Sequence, residues 1–185
     1  PTAEAMYPEG FCTVSTGKLG TVWEGEHRPG HFDGVATVVL KLFNIVKPDV
    51  AVFGQKDFQQ CVVLADMVRR FNLDVVLKFS ETVREPNGLA LSSRNQRLSP
   101  QAISVAPMLH NTLSETAALI ADDGISVDDA VSKGTSTLAE NGFRPEYLAC
   151  VNPATLEPVS TPKPADRLIV AAWIEGVRLI DNIAL

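Results

Sequence analysis

The sequence predicts an α/β protein in two parts: a parallel sheet with helices packed on it, then a smaller α+β domain with helices and an antiparallel sheet. Three observations carry this reading. Between residues 35 and 79, apolar segments of helical period alternate with short apolar runs of strand length, which is the grammar of a parallel sheet. After Val83 that alternation stops, and two helical patterns are followed by three strand-like segments. Pro86-Asn87-Gly88 marks the change as a turn. The expected domains are residues 1–82 and 83–185.

Residues 1–30 are rich in turn formers, with a short strand expected at Phe11 to Ser15. From Val35, the apolar positions Val38, Val39, Leu42, Phe43 and Val46 follow at helical offsets, which places them on one helix face. Pro29-Gly30 marks the approach to that helix and Pro48 its stop. A short buried strand is expected at Val50 to Phe53. The next helix runs from about Asp57 to Phe71 and is expected to bury Phe58, Cys61, Val62, Ala65 and Val68, with Asp57 and Gln60 as a capping pair. A second strand follows at Asp74 to Phe79.

Beyond the turn, Ser99-Pro100 reads as an N-cap with proline at the first helical position. The helix it opens extends to about Ala121, kinked or irregular near Pro107. Ser126 to Glu140 forms another helix, closed by Asn141-Gly142. Tyr147 to Val151, Leu168 to Ile174 and Val177 to Leu185 read as strands, the last two joined in a hairpin at Glu175-Gly176.

Bulk properties narrow the function classes. With 185 residues and 45% hydrophobic content, a packed core is expected. A net charge of −6 argues against nonspecific nucleic-acid binding. No apolar run reaches membrane-spanning length and no signal-peptide layout opens the chain, so no membrane partner is expected. Cys12, Cys61 and Cys150 are odd in number and far apart, forming neither a disulfide framework nor a zinc pattern, which points to a cytoplasmic setting. The first residue is Pro1, which fits either initiator removal or loss of an upstream region.

The chemistry concentrates at Phe53 to Gln60, FGQKDFQQ. A ligand crevice in an open α/β sheet lies at the carboxyl end of a strand. Gly54 there would let backbone approach a ligand, and Lys56 would add a mobile charge suited to phosphate. An ordinary helix start, with a solvated lysine and Gln60 as a cap, would leave the same pattern. Ser92-Ser93-Arg94 offers two hydroxyls and a guanidinium, a combination that suits a phosphate chain and equally a polar loop capping the next helix. Taken together, the two cationic loops suggest a nucleotide held at the domain interface. His27 and His31 are four apart, but Pro29-Gly30 between them breaks a regular helix, so no metal site is expected there. His110 and Cys61 read as structural. No GxxxxGK[ST], GxSxG or GxGxxG motif is present.

Four motifs, RPGHFDGVATVV (Arg28 to Val39), FGQKDFQQ, GLALSSRNQRLS (Gly88 to Ser99) and RLIDN (Arg178 to Asn182), together resemble the pantothenate synthetase family in order and spacing. The resemblance implies a Rossmann-like domain of the HIGH-type nucleotidyltransferases followed by a lid-like C-terminal domain. It implies ATP-dependent joining of pantoate to β-alanine through pantoyl adenylate, with pyrophosphate and AMP released, Mg2+ beside the nucleotide, and a homodimer. Residue by residue, it implies ATP contacts from Gly54, Gln55, Lys56, Asp57, Val83, Leu91, Ser92, Ser93 and Arg94, with Lys56, Ser92, Ser93 and Arg94 catalytic. It assigns pantoate to Gln60, Val35 and Val39, and no metal-ligating residue.

Two departures stand out. Gln55 replaces a glutamate found in many members. The family's HIGH-like motif with its catalytic histidines, and a second pantoate-binding glutamine, have no match here. TAEAMYPEG (Thr2 to Gly10) resembles a point about one third of the way into the family sequence, so an incomplete Rossmann-like domain with little activity of its own is expected. A noncatalytic nucleotide-binding or interaction module, and an adenylating ligase for another small hydroxy acid, remain open.

Overall fold

The computed structural model describes residues 2–121 and 125–185. The chain divides into two compact units, Pro1–Ser80 and Glu81–Leu185. The expected domain boundary at 82/83 falls just inside the second unit.

The first unit contains two one-turn helices, α1 (Ala3–Met6) and α2 (Glu24–His27). They are followed by α3 (His31–Val46), β1 (Val50–Gly54), α4 (Phe58–Arg70) and β2 (Val76–Ser80). β1 and β2 are parallel, in register from Val50 opposite Val76 to Gly54 opposite Ser80. α4 is the crossover that two parallel neighbours require. α3 begins a turn before the apolar pattern does, because Gly30 at φ 76° supplies a left-handed entry. It ends at Lys47, whose N–H donates to the Phe43 carbonyl, immediately before Pro48.

Three expectations in this unit need correction. First, α3 buries Phe32, Ala36 and Thr37, with Val35, Val39, Leu40 and Phe43 packed beside them, whereas Leu42 and Val46 are exposed. The helix carries two apolar stripes, and Phe32 lies N-terminal to the window in which period was read. Second, α4 buries Val63, Leu64 and Met67 as well as Cys61 and Val62; Ala65 is exposed, Phe58 and Val68 are half-buried, and Asp57 makes no side-chain cap bond. Third, residues 11–16 form no strand. Their polar backbone is satisfied by α3 instead: Val14 N–H donates to Thr37 Oγ1 (2.9 Å), and Thr16 donates to Asp33 Oδ1 through both N–H (2.8 Å) and hydroxyl (2.6 Å). The sheet is also less buried than an apolar run suggests. Phe53 and Leu77 pack on the helical core, whereas Val50, Val52 and Val76 on the other face are exposed.

The second unit opens with a turn and a single 3-10 stretch, Ser93–Arg97. It continues with α5 (Pro100–Val105), α6 (Met108–Ile120), α7 (Val127–Glu140), β3 (Arg144–Val151), β4 (Arg167–Ile174) and β5 (Val177–Ala184). Ser99 Oγ accepts the Ala102 N–H at 3.1 Å as the expected N-cap, and the break at Ala106-Pro107 separates α5 from α6. The three strands form an antiparallel sheet in the order β3-β4-β5. β3 starts earlier than expected, at Arg144, with a bulge between Pro145 and Tyr147. Glu175 (φ 47°) and Gly176 (φ 75°) are both left-handed, as a two-residue type I′ hairpin requires. Leu113 of α6 and Leu138 of α7 are fully buried with Leu168, Val170 and Ala172 of β4. Among the described residues no helix is long and apolar enough to cross a membrane.

Two helical glycines make a test of this packing. A Cβ on Gly34 in α3 meets no atom within 4 Å, so Gly34→Ala should stabilise by about 0.5–1 kcal/mol through helix propensity alone. A Cβ on Gly134 in α7 would lie 2.5 Å from Oγ1 of buried Thr116 and 3.3 Å from Leu148 Cδ2. Overpacking of that kind costs about 1–3 kcal/mol, which offsets or outweighs the same propensity gain of about 1 kcal/mol. Urea unfolding should therefore move the midpoint up for Gly34→Ala and not for Gly134→Ala.

Candidate functional site

In the first unit, the FGQKDFQQ segment occupies the carboxyl end of β1 and the start of α4. Gly54 ends the strand, Gln55–Asp57 make one 3-10 turn, and Phe58 is already helical. Lys56 and Gln55 are half-buried on that turn, and Asp57 is exposed. Gln60 is half-buried in the first turn of α4, while Val35 and Val39 of α3 pack at the margin of the unit's apolar core. Cys61 faces inward, and its thiol donates to the Gly54 carbonyl at 3.4 Å.

Gln59 is a structural key that the sequence reading missed. Its Oε1 accepts the Glu24 N–H (3.1 Å), and its Nε2 donates to the carbonyls of Leu19 and Val22 (2.8 Å each). Only the phase of α4 tells it apart from the neighbouring Gln60, which is half-buried. Arg28 bonds Glu24 (3.4 Å) and His31 Nε2 (2.9 Å) across the α2–α3 junction. No group of three His, Cys, Asp or Glu among the described residues could hold a metal ion.

In the second unit, residues 83–91 fold back on themselves. Leu91 N–H donates to the Val83 carbonyl (2.9 Å), Glu85 N–H to Leu89 (2.8 Å) and Gly88 N–H to Glu85 (2.8 Å), with an antiparallel bridge between Arg84 and Ala90. Gly88 takes φ 93°, a conformation that favours glycine. Val83 and Leu91 lie opposite each other and are exposed, at 65% and 45%. Ser92 caps the 3-10 turn by accepting the Arg94 N–H (3.2 Å), which leaves its own O–H as a donor. Ser93 is exposed, and half-buried Arg94 donates to the Arg178 carbonyl at 3.4 Å. The loop thus caps its own 3-10 turn through Ser92, while α5 is capped by Ser99.

Behind the loop lies a cluster absent from the sequence reading except as part of the RLIDN motif. Arg84 grips Asp181 of β5 with two bonds (2.6 and 2.9 Å) and also donates to the Gly88 carbonyl (3.1 Å). Asp181 is almost wholly buried, and His110 Nδ1 of α6 lies 3.7 Å from its Oδ2. A Cβ at position 88 would approach His110 Cδ2 to 3.0 Å. Partners separated by 97 residues leave no local pattern to read.

Burial, reinforced by the Arg84 cation, holds the His110 pKa below its usual 6.5, against an upward pull from Asp181. A lowered folded-state value means that the unfolded chain binds more protons in this window, so stability is lost as pH falls through 6.5 toward the folded value. Urea midpoints measured from about pH 7.5 down to about pH 5 should fall in the parent, and His110→Gln should flatten that part of the slope.

Comparison with known proteins follows the same architecture. The profile of the pantoate-beta-alanine ligase family matches residues 1–184. The pantothenate synthetase of Rhizorhabdus wittichii is 47% identical over 187 residues, an alignment that takes in 100% of this chain and 66% of that relative. The crystal structure of pantothenate synthetase from Thermus thermophilus superposes with a TM-score of 0.92 at 46% identity, covering 100% of this chain and 67% of that one. A pantoate-beta-alanine ligase from Francisella tularensis, crystallised with beta-gamma ATP and beta-alanine, gives a TM-score of 0.73 at 32% identity over 98% of this chain and 61% of that one. The chain thus spans slightly under two thirds of the Rhizorhabdus relative's length. With the strand-end lysine turn, the SSR loop and the RLIDN strand in place across that match, this chain belongs to the pantoate-beta-alanine ligase family.

Proposed function

We propose that this chain serves an ATP-dependent ligase that condenses pantoate with β-alanine to pantothenate, in the cytoplasm and as a homodimer. The observation that carries the reading is Lys56, set on the single turn that joins the carboxyl end of β1 to the N-terminus of α4. A ligand in an open α/β sheet sits at such an end, where a helix N-terminus and a cation both favour phosphate. The beta-gamma ATP and beta-alanine held by the Francisella ligase support the choice of substrates.

In this reading the pantoate carboxylate attacks the α-phosphorus of ATP. The new bond forms pantoyl adenylate, and the bond to pyrophosphate breaks. The β-alanine amine then attacks the acyl carbon, gives up a proton, and expels AMP. Lys56 neutralises charge on the phosphates, and Gly54, Gln55 and Asp57 border the nucleotide. Leu91, Ser92, Ser93 and Arg94 form the loop that closes on the phosphates, with the Val83 backbone beside the base. Gln60 bonds pantoate, and Val35 and Val39 supply an apolar wall. The protein supplies no covalent nucleophile here; positioning and charge stabilisation carry the rate. Mg2+ is read as the companion of the ATP phosphates, consistent with its preference for phosphates and water over an all-protein cage.

In this reading the motifs belong to the later part of a family member, and catalysis draws also on a HIGH-type segment. Release of AMP from pantoate, β-alanine and MgATP should be robust for the natural-length protein and at least about 100-fold weaker for residues 1–185 alone. Equal turnover would remove the need for that further segment. No AMP from either would reject the ligase, and turnover restricted to a pantoate analogue would redirect it to another hydroxy acid. In the natural-length protein, Lys56→Ala should lower kcat/KM for adenylation by about 100- to 1,000-fold. The urea midpoint should stay near that of the parent, because Lys56 sits on a three-residue turn outside the buried core.

A further inference from the structure

We propose that Arg84 and Asp181 are positioning residues that preset the Val83–Arg94 loop for its substrate, with β5 as the template. This rests on the ligase reading for its kinetic consequence, but its structural part stands without it.

The RLIDN motif has no role in the proposed chemistry. Residues alternate sides along β5, so Arg178 and Asp181 project from opposite faces. Each is tied to a different part of the loop. The Asp181 carboxylate, buried on the helix-covered face, takes both nitrogens of the Arg84 fork. The same Arg84 Nη1 donates to the Gly88 carbonyl, so one guanidinium binds the tip of the turn to the strand. The Arg178 carbonyl accepts from Arg94 at the loop's far end. Arg178 is itself fixed through Nε to Glu146 of β3 (2.6 Å), which also accepts from the Trp173 indole of β4. The loop is thus held at two points on one strand, one on each side of Leu91, Ser92 and Ser93.

The pairing also explains the turn's sequence. Gly88 packs against His110, whose ring a Cβ would approach to 3.0 Å, and its positive φ favours glycine while its carbonyl accepts from Arg84. Val83 and Leu91 are exposed, yet their backbones are bonded to each other. Their placement therefore depends on the ladder behind them, which Arg84 anchors. Arg84 itself points away from solvent and into the sheet, where its carboxylate partner is 2% exposed. That is the position of a group acting through its neighbours.

The test pairs Arg84→Met with Asp181→Asn in the natural-length protein and reads hydrogen exchange and kinetics separately. The Asn variant keeps the volume and an oxygen for the Asn182 N–H but removes the charge. Exchange of segments covering residues 83–97 should speed up by about tenfold or more in Arg84→Met and less in Asp181→Asn, with β4 unchanged. kcat should fall by about 10- to 100-fold while KM for pantoate stays within about twofold, and Arg84→Lys should restore part of kcat. Lost activity with unchanged exchange would overturn the proposal, since it would place Arg84 on the substrate. Faster exchange with unchanged kcat would overturn the presetting role. Should Arg84→Met speed exchange everywhere, the milder Asp181→Asn decides by the same two readouts. The exchange measurement uses no substrate, so failure of the ligase reading cannot be mistaken for failure of this one.

Discussion

The first unit is governed by the absence of spare chain between β1 and α4. Gly54 is the last strand residue, Phe58 the first of α4, and only Gln55–Asp57 lie between. β1 is held by its parallel ladder with β2, and α4 by Val63, Leu64 and Met67 in the core. With both ends fixed, the backbone position of Lys56 follows from the packing of the two elements it joins. Because Asp57 does not cap α4 through its side chain, the first helical N–H groups are not claimed by it. Gln59 extends this order backward by collecting one N–H and two carbonyls from residues 19–24. An irregular segment with polar backbone is thereby tied to a regular element, which buried peptide groups require.

The second unit solves a similar problem with charge. In the nine-residue turn Leu89 and Ala90 are buried but Val83 and Leu91 are exposed, so apolar packing holds one arm and polar contacts must fix the rest. Removing one partner of a buried ion pair costs about 3–5 kcal/mol, several times the cost of losing a neutral hydrogen bond. Arg84 and Asp181 are such a pair, with the carboxylate at 2% exposure, whereas the Arg69 and Arg70 contacts to Asp66 have exposed guanidiniums and are worth little. Stability considerations alone would put a hydrophobic residue at position 181, beside Leu179 and Ile183. An aspartate there is better explained by the specificity of the loop it grips.

Much of the fold was legible because its signals are local. Ser99 as a cap, the helix expected from Ser126 to Glu140, the stop at Gly142, the Pro107 break and the Glu175-Gly176 turn each depend on a few neighbouring residues. What was not legible depended on distant partners or on a choice between equivalent patterns. Hydropathy cannot decide which of two stripes on α3 faces inward, and Phe11 to Ser15 looks like a strand until Thr37 and Asp33 satisfy its backbone. The site divides in the same way. Gly54 to Asp57 could be placed at a strand end from composition and order, whereas individual roles came from family resemblance. Arg84 with Asp181 lay beyond either route.

The titrating groups favour the same kind of chemistry. Burial, with Asp166 nearby, pushes the Cys150 thiol up to about 11, so it stays protonated and unreactive near neutral pH. Cys61 is buried with its hydrogen turned to the Gly54 carbonyl. The Ser92 oxygen accepts a backbone N–H, and the Ser99 hydroxyl donates to Glu175. Both serines serve as caps, Ser92 of the 3-10 turn and Ser99 of α5. What the two candidate segments offer is a lysine, an arginine and hydroxyl donors on short, braced turns. Groups of that kind stabilise charge as it develops on phosphorus oxygens and demand little reorganisation, provided that they are held still. A reaction between a carboxylate, a phosphate ester and an amine brings its own nucleophiles. In the proposed reaction, what these turns would add is therefore the placement of their charged and hydroxyl groups.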